Sequence, residues 1–119
     1  MDLVDFSTLE SVSGGDKKYF SDVIDIFIDT TTKAVEKLKA LAKTDDDHLE
    51  ISAIAHSIKS GVGIVKIKGM LEELIQVEKL AKDRANMDAV RTHLQKAAIL
   101  YEKSLPILLK EKKNKAANK

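Results

Sequence analysis

The sequence predicts an all-α protein, an up-and-down four-helix bundle with a short extra N-terminal helix, and three observations carry that prediction. Apolar residues recur at helical spacing through most of the 119-residue chain. Hydrophobic residues make up 44% and charged residues 33%, with one proline and five glycines, a mixture that suits a helical bundle rather than a β-rich or disordered chain. The breaks between periodic stretches span only a few residues, which forces successive helices to run antiparallel.

Taken in order, the first element covers residues 5–12, with Phe6, Leu9 and Val12 on one side, and Gly14-Gly15 ends it. Asp16 then caps a helix running to about residue 42, whose stripe is Phe20, Ile24, Phe27, Thr31, Ala34, Leu38 and Leu41. Thr30, Thr31 and Thr32 are weak helix formers, but the stripe keeps its phase across them and packing outweighs propensity. Residues 44–47 make the next turn, with aspartate as N-cap and a favourable charge at the positive end of the helix over 46–66. Near residues 66–69 the apolar phase shifts, and a fourth helix to about residue 85 carries Ile67, Met70, Leu74, Val77 and Ala81. Residues 84–86 break it. The last helix carries Val90, Leu94, Ala97, Tyr101, Leu105 and Leu108, and Pro106 is expected to kink or end it, because proline removes a bond to the preceding turn. From about residue 110, Lys110, Lys112, Lys113, Lys115 and Lys119 read as a basic, frayed tail. Length predicts one domain, 1–119.

Composition removes several function classes. Cysteine is absent, so there is no disulfide, thiolate metal site or thiol catalysis. The net charge of +1 gives no overall pull toward nucleic acid or acidic membrane. No apolar run approaches the ~18 residues of a spanning helix, and the start of the chain is unlike a signal peptide. Ser13-Gly14-Gly15-Asp16 lacks the GK[ST] ending of a nucleotide-binding loop. The expectation is a cytoplasmic monomer that binds neither nucleic acid nor membrane.

The third helix holds the residues with chemical potential. At about 100° per residue, Ile54, Ile58 and Val65 lie about 160–180° from His56, so they face the core and His56 faces water. Ser52, Lys59, Ser60 and Gly63 fall within about 60° of His56. A neutral, exposed imidazole nitrogen is a nucleophile able to carry a phosphoryl group, and a histidine of ordinary pKa, ~6.5, is mostly neutral at pH 7. Lys59 sits one turn onward, where its ammonium reaches the oxygens of such a group and orients it. Each helical glycine costs roughly 1 kcal/mol relative to alanine. Gly61, about 140° from His56, reads as room for a neighbouring helix, and Gly63, about 20° away, as clearance for a docked partner. His48 and His93 read as structural, and no metal site is expected from the three histidines. Glu72, Glu73 and Glu78 read as a solvated face of the fourth helix, with Gln76 or Glu78 bordering the docking surface as the alternative.

The run Ala55-His56-Ser57-Ile58-Lys59-Ser60 resembles the phosphoacceptor signature of histidine-containing phosphotransfer domains. Gly63, Val65, Met70, Leu74 and Val77-Glu78 continue the likeness, and Phe20 to Phe27 with Leu38 and Leu41 are similar to the family's second helix. Two positions depart: Ser60 and Lys66 stand where glycine is usual, and Lys66 either adds charge to the docking rim or alters how the helix ends. The resemblance implies a phosphorelay intermediate. His56 would be the phosphoacceptor, taking the group from a receiver-domain aspartate and passing it to another. Lys59 would stabilise the phosphate, and Ser52, Ser60, Gly63 and Lys66 would meet the partner. Response-regulator receiver domains are the implied partners, with a hybrid histidine kinase as a further candidate. The chain would be a carrier rather than an enzyme and would hold no cofactor, the Mg²⁺ coming with the receiver. The alternative is a helical adaptor that binds through the same face without being phosphorylated.

Overall fold

The periodic stretches fold as five α-helices, α1 (Ser7–Ser13), α2 (Lys17–Leu41), α3 (His48–Val65), α4 (Met70–Asp83) and α5 (Met87–Ala117). The computed structural model describes residues 3–117, and Lys119 of the expected basic tail lies outside them. Among the described residues no strand forms; one isolated antiparallel bridge joins Val4 to Ile67.

Each helix begins and ends for a local reason. Asp16 caps α2 as expected, accepting from the Tyr19 N–H at 3.0 Å. The Arg91 Nε–H reaches across from α5 to the Ala42 carbonyl at 2.7 Å, satisfying one open group at the end of α2. Asp47 stands at the start of α3 but caps no N–H; its carboxylate accepts from the Thr44 hydroxyl instead. Gly14, Lys66 and Arg84 end α1, α3 and α4 in the left-handed conformation that turns a chain out of a helix.

Helix α3 packs against both α2 and α4, α4 packs against α5, and α5 returns to α2, so the four long helices enclose one core. Phe20 and Ile24 of α2, Ile51 and Val62 of α3, Leu74 of α4 and Leu108 of α5 are buried in it. Burying such side chains contributes roughly 1.5–3 kcal/mol each before the loss of conformational entropy. The threonine run fits this core, with Thr31 buried and Thr32 Oγ1 2.6 Å from the Tyr101 hydroxyl, which also donates to the Ile28 carbonyl at 3.1 Å. Gly61 has the expected packing role, since a Cβ built there would stand 3.2 Å from the Phe27 ring of α2.

Three expectations change. Val12 is exposed and does not continue the stripe of Leu9, because α1 is short and packs mainly on α2 and α3 through its other side. Of the two outcomes expected at Pro106, a kink or an end, the end does not occur: α5 continues to Ala117. Ser104, buried just before it, bonds back to the Tyr101 carbonyl at 2.6 Å, and Leu108 just after it is fully buried, so packing on both sides carries the helix past the missing N–H. The tail beyond residue 110 is helical rather than frayed as far as Ala117. Lys112 pairs with Asp25 of α2, while Lys115 pairs with Glu10 of α1 and stands 5.1 Å over the Phe20 ring.

The segment before α1 ties that short helix to the α3–α4 turn. Asp5 N–H donates to the Lys66 carbonyl at 3.0 Å and Lys68 N–H to the Leu3 carbonyl at 2.7 Å. Alternating residues on this short extended piece are too few to read as a strand from sequence.

Candidate phosphoacceptor site

Helix α3 buries Ile51, Ser52, Ala55, Ile58, Val62 and Val65, a face widened because α2 and α4 flank it on two sides. His56 lies opposite and its side chain is 68% exposed, as its phase requires. Ser52, one turn before it, is not exposed: it is 7% accessible and its hydroxyl donates to the Glu78 carbonyl at 2.9 Å. The expected place of Ser52 on the open face is therefore corrected, because α4 covers that edge of the helix. Its hydroxyl ties α3 to α4 under His56.

The neighbour that decides the geometry is Glu78 of α4. Its Oε2 is 2.8 Å from His56 Nδ1 and its Oε1 2.6 Å from Lys59 Nζ, so one carboxylate holds both residues. The Lys59 ammonium is the main reason the Glu78 carboxyl stays below its ordinary range; partial burial works against this and the His56 contact adds to it. An ionised carboxylate only accepts, so the hydrogen it shares with the ring belongs to Nδ1. The Nε2 lone pair is then left pointing outward. Lys59 is a bound cation with a 28% exposed side chain.

Around the imidazole, His56, Ser57, Lys59, Ser60, Leu71 and Ile75 line a shallow hollow of about 490 Å³. Ser60 is exposed there as expected. Gly63 and Lys66 line a second cleft, about 650 Å³, between α3 and residues 3–6, and Leu71 borders both hollows. A Cβ at Gly63 would meet nothing within 4 Å, so there is open space beside α3 at that position. Lys66 is the left-handed end of α3, with φ of 57°, which answers how the departure from glycine is accommodated: as the residue that turns the chain toward α4. On the other side of α3, Ile26, Thr30, Ser57, Ser60 and Ile64 line a narrow apolar groove. Exposed Ile26, Ile64 and Ile75 thus flank His56 from both directions.

The other two histidines are held by backbone or by another helix. His48 Nδ1 is 2.8 Å from the Ala81 carbonyl, and His93 Nδ1 is 2.6 Å from Glu73 Oε2. Glu73 is accordingly part of the α4–α5 seam and not of a solvated face. Glu78 is what sequence reasoning missed as a direct partner of His56; the signal was its position one residue after the buried Val77, which fixes its side of α4 but not what lies opposite.

The sequence model of the Hpt domain matches residues 22–111, well over half of the chain. The chain belongs to the Hpt domain family. Hpt domains serve histidine phosphotransfer in two-component phosphorelays, as helical carriers rather than classical enzymes, and in general they interact with receiver domains and histidine kinases. In this Hpt domain α1 and the last residues of α5 lie outside the matched stretch. No curated protein matches the chain. Among the described residues no helix is long and apolar enough to cross a membrane, and no three His, Cys, Asp or Glu side chains are grouped as metal ligands.

Proposed function

We propose that this Hpt domain is a cytoplasmic relay intermediate that accepts a phosphoryl group on Nε2 of His56 from a receiver-domain aspartate and passes it to the aspartate of another receiver. The observation that carries the reading is the pairing of an exposed imidazole, held through Nδ1 by Glu78, with the whole-helix match to the family. In the step, the Nε2 lone pair attacks phosphorus, an N–P bond forms, and the aspartyl O–P bond breaks with its electron pair left on the receiver's carboxylate. Nδ1 keeps its hydrogen, so no base has to remove a proton from the ring. Transfer of this kind rests mainly on positioning and electrostatics, which suits a carrier whose partner brings the Mg²⁺ and most of the charged groups.

Ser60, Gly63 and Lys66 form the docking rim in this reading, with Ile26, Ile64 and Ile75 as the apolar contacts beside it. The helices follow an up-and-down order, supported by the ring of packed neighbours and the short turns between them. Partners are receiver domains, including that of a hybrid histidine kinase, and the domain acts as a monomer. Incubation with a phosphorylated receiver should move an acid-labile, alkali-stable label onto the wild-type chain and leave His56→Gln unlabelled. Label that survives in His56→Gln contradicts the assignment, and binding without label in either protein leaves the adaptor reading.

A further inference from the structure

The outer face of α5 carries a pattern that the phosphoacceptor site does not use. At about 100° per residue, Lys96, Ile99, Ile107 and Lys110 all fall within about 40° of Lys103, which makes a line of alternating cations and aliphatic side chains about 21 Å long. All five residues are exposed, and no acidic residue of α5 falls in that sector. Among the described residues none of the three lysines is paired with a carboxylate, whereas Lys37, Lys39, Lys112 and Lys115 all are. The carboxylates of α5 on either side are engaged or turned away: Asp88 binds Arg91, Glu102 binds Lys39 of α2, and Glu111 is half-buried.

The net charge of +1 averages over faces that a partner meets one at a time. The bundle measures 25 by 20 Å in cross-section, and the Debye length at physiological salt is about 8 Å. A surface meeting α5 therefore feels its lysines and little of the carboxylates on the far side. The residue types then choose among anionic surfaces. Lysine is a point charge on a flexible stem and suits a diffuse layer of anions, while bidentate recognition of phosphates and bases favours arginine and base stacking needs an aromatic ring. The stripe has neither arginine nor aromatic residue. Protein interfaces are likewise poor in lysine and rich in arginine, tyrosine and tryptophan. Aliphatic side chains set between lysines match anionic headgroups over hydrocarbon, with the ammonium groups among the headgroup charges and the isoleucines below them.

We propose that the outer face of α5 is a reversible docking surface for an anionic lipid bilayer, with Lys96, Lys103 and Lys110 on the headgroups and Ile99 and Ile107 between them. Helices α3 and α5 sit at opposite corners of the bundle, with α2 and α4 between. His56, on the outer side of α3, therefore points away from the bilayer and stays open while the domain is bound. This surface stands apart from the phosphoacceptor reading, and either can fail without the other.

The test floats the full chain with vesicles of phosphatidylcholine alone or with about 30% phosphatidylserine, at about 50 and about 300 mM salt. Binding is expected only with phosphatidylserine and should weaken at the higher salt. At about five-fold per lysine, Lys103→Gln/Lys110→Gln should lower the partition coefficient by about 25-fold. Ile99→Ser/Ile107→Ser should lower it several-fold. Lys33→Gln/Lys37→Gln removes the same charge from α2, where Lys37 faces α3 and pairs with Glu50, and should change it by less than about two-fold. All these side chains are exposed, so the variants keep the helical fold, which circular dichroism checks. Carbethoxylation of His56 by diethyl pyrocarbonate, followed by mass spectrometry, should run at the same rate with and without vesicles. Equal binding to both kinds of vesicle, no binding to either, or a lysine-stripe variant that binds as wild type does overturns the lipid assignment. Binding to a DNA duplex of about 20 base pairs that the stripe variant loses, without binding to vesicles, also overturns it and gives the face to nucleic acid. Protection of His56 by vesicles overturns the orientation.

Discussion

Two glycines and a lysine on α3 show how much a single position decides. Gly61 and Gly63 are both helix-interior glycines, yet a Cβ at Gly61 runs into Phe27 while one at Gly63 meets nothing within 4 Å. Gly63→Ala is therefore expected to raise stability by about 0.5–1 kcal/mol, the ordinary gain of alanine over glycine. Gly61→Leu should lower it by about 1–3 kcal/mol through overpacking against α2. Denaturant midpoints of the two variants check both signs. If Gly63 serves docking, Gly63→Leu should also slow phosphoryl acceptance from a receiver several-fold and leave acceptance from a small phosphodonor unchanged. Lys66 holds a left-handed conformation that costs a side-chain-bearing residue about 1–2 kcal/mol, partly offset by the greater entropy glycine loses on folding. Lys66→Gly is expected to stabilise the fold by up to about 1 kcal/mol, read as a higher melting temperature, and a lower one would contradict the account of how α3 ends. The phases of Gly61, Gly63 and His56 were legible from spacing alone because they are properties of one helix. The left-handed turn at Lys66 was not, since a residue's dihedral angles follow from where the next helix must start.

At the scale of elements, the α3–α4 seam is where sequence reading fell short. Periodicity assigns each helix an inner and an outer face, and the stripes of α4 and α5 agree with the buried residues at nearly every position. It does not give the rotation of α4 against α3. That rotation covers Ser52, places Glu78 between His56 and Lys59, and brings Glu73 to His93. Acidity reports on the same seam. Glu78 has a folded-state pKa below its ordinary value, with Lys59 the first cause, so its contribution to stability is fully present above that ordinary value. It is lost as the pH falls through the lower folded value. Unfolding of wild type and Glu78→Gln measured between about pH 3 and pH 7 should show wild type more stable at the upper end and the difference vanishing at the acid end. A difference that grows on acidification would contradict the assigned sign.

For the molecule as a whole, the helical class and the order of the elements were readable because four amphipathic stripes and short breaks leave few other ways to bury a core. The ends were misread. Pro106 and a run of lysines are local signals of termination, and both are overruled by contacts from distant parts of the chain: Leu108 in the core, and Asp25, Glu10 and Phe20 beside Lys112 and Lys115. The Lys115–Glu10 pair fastens α1 to α5, while the Val4–Ile67 bridge fastens the segment before α1 to the α3–α4 turn. Truncation after Leu109 is expected to cost about 1–2 kcal/mol, from one cation–π contact and two surface ion pairs, with phosphoryl acceptance by His56 unchanged. A truncated chain that unfolds fully, or one as stable as the parent, would show that the tail's role has been misjudged.

The central claim is that this Hpt domain carries its phosphoryl group on the outer nitrogen of one particular histidine out of three. Locating the group after transfer from a phosphorylated receiver tests it most directly, by mass spectrometry of the labelled peptide under alkaline conditions and by the ¹⁵N shifts of the modified ring. The account predicts phosphate on the peptide containing His56, attached to Nε2, with Nδ1 still protonated. Phosphate on His48 or His93, attachment through Nδ1, or no phosphohistidine at all would contradict it.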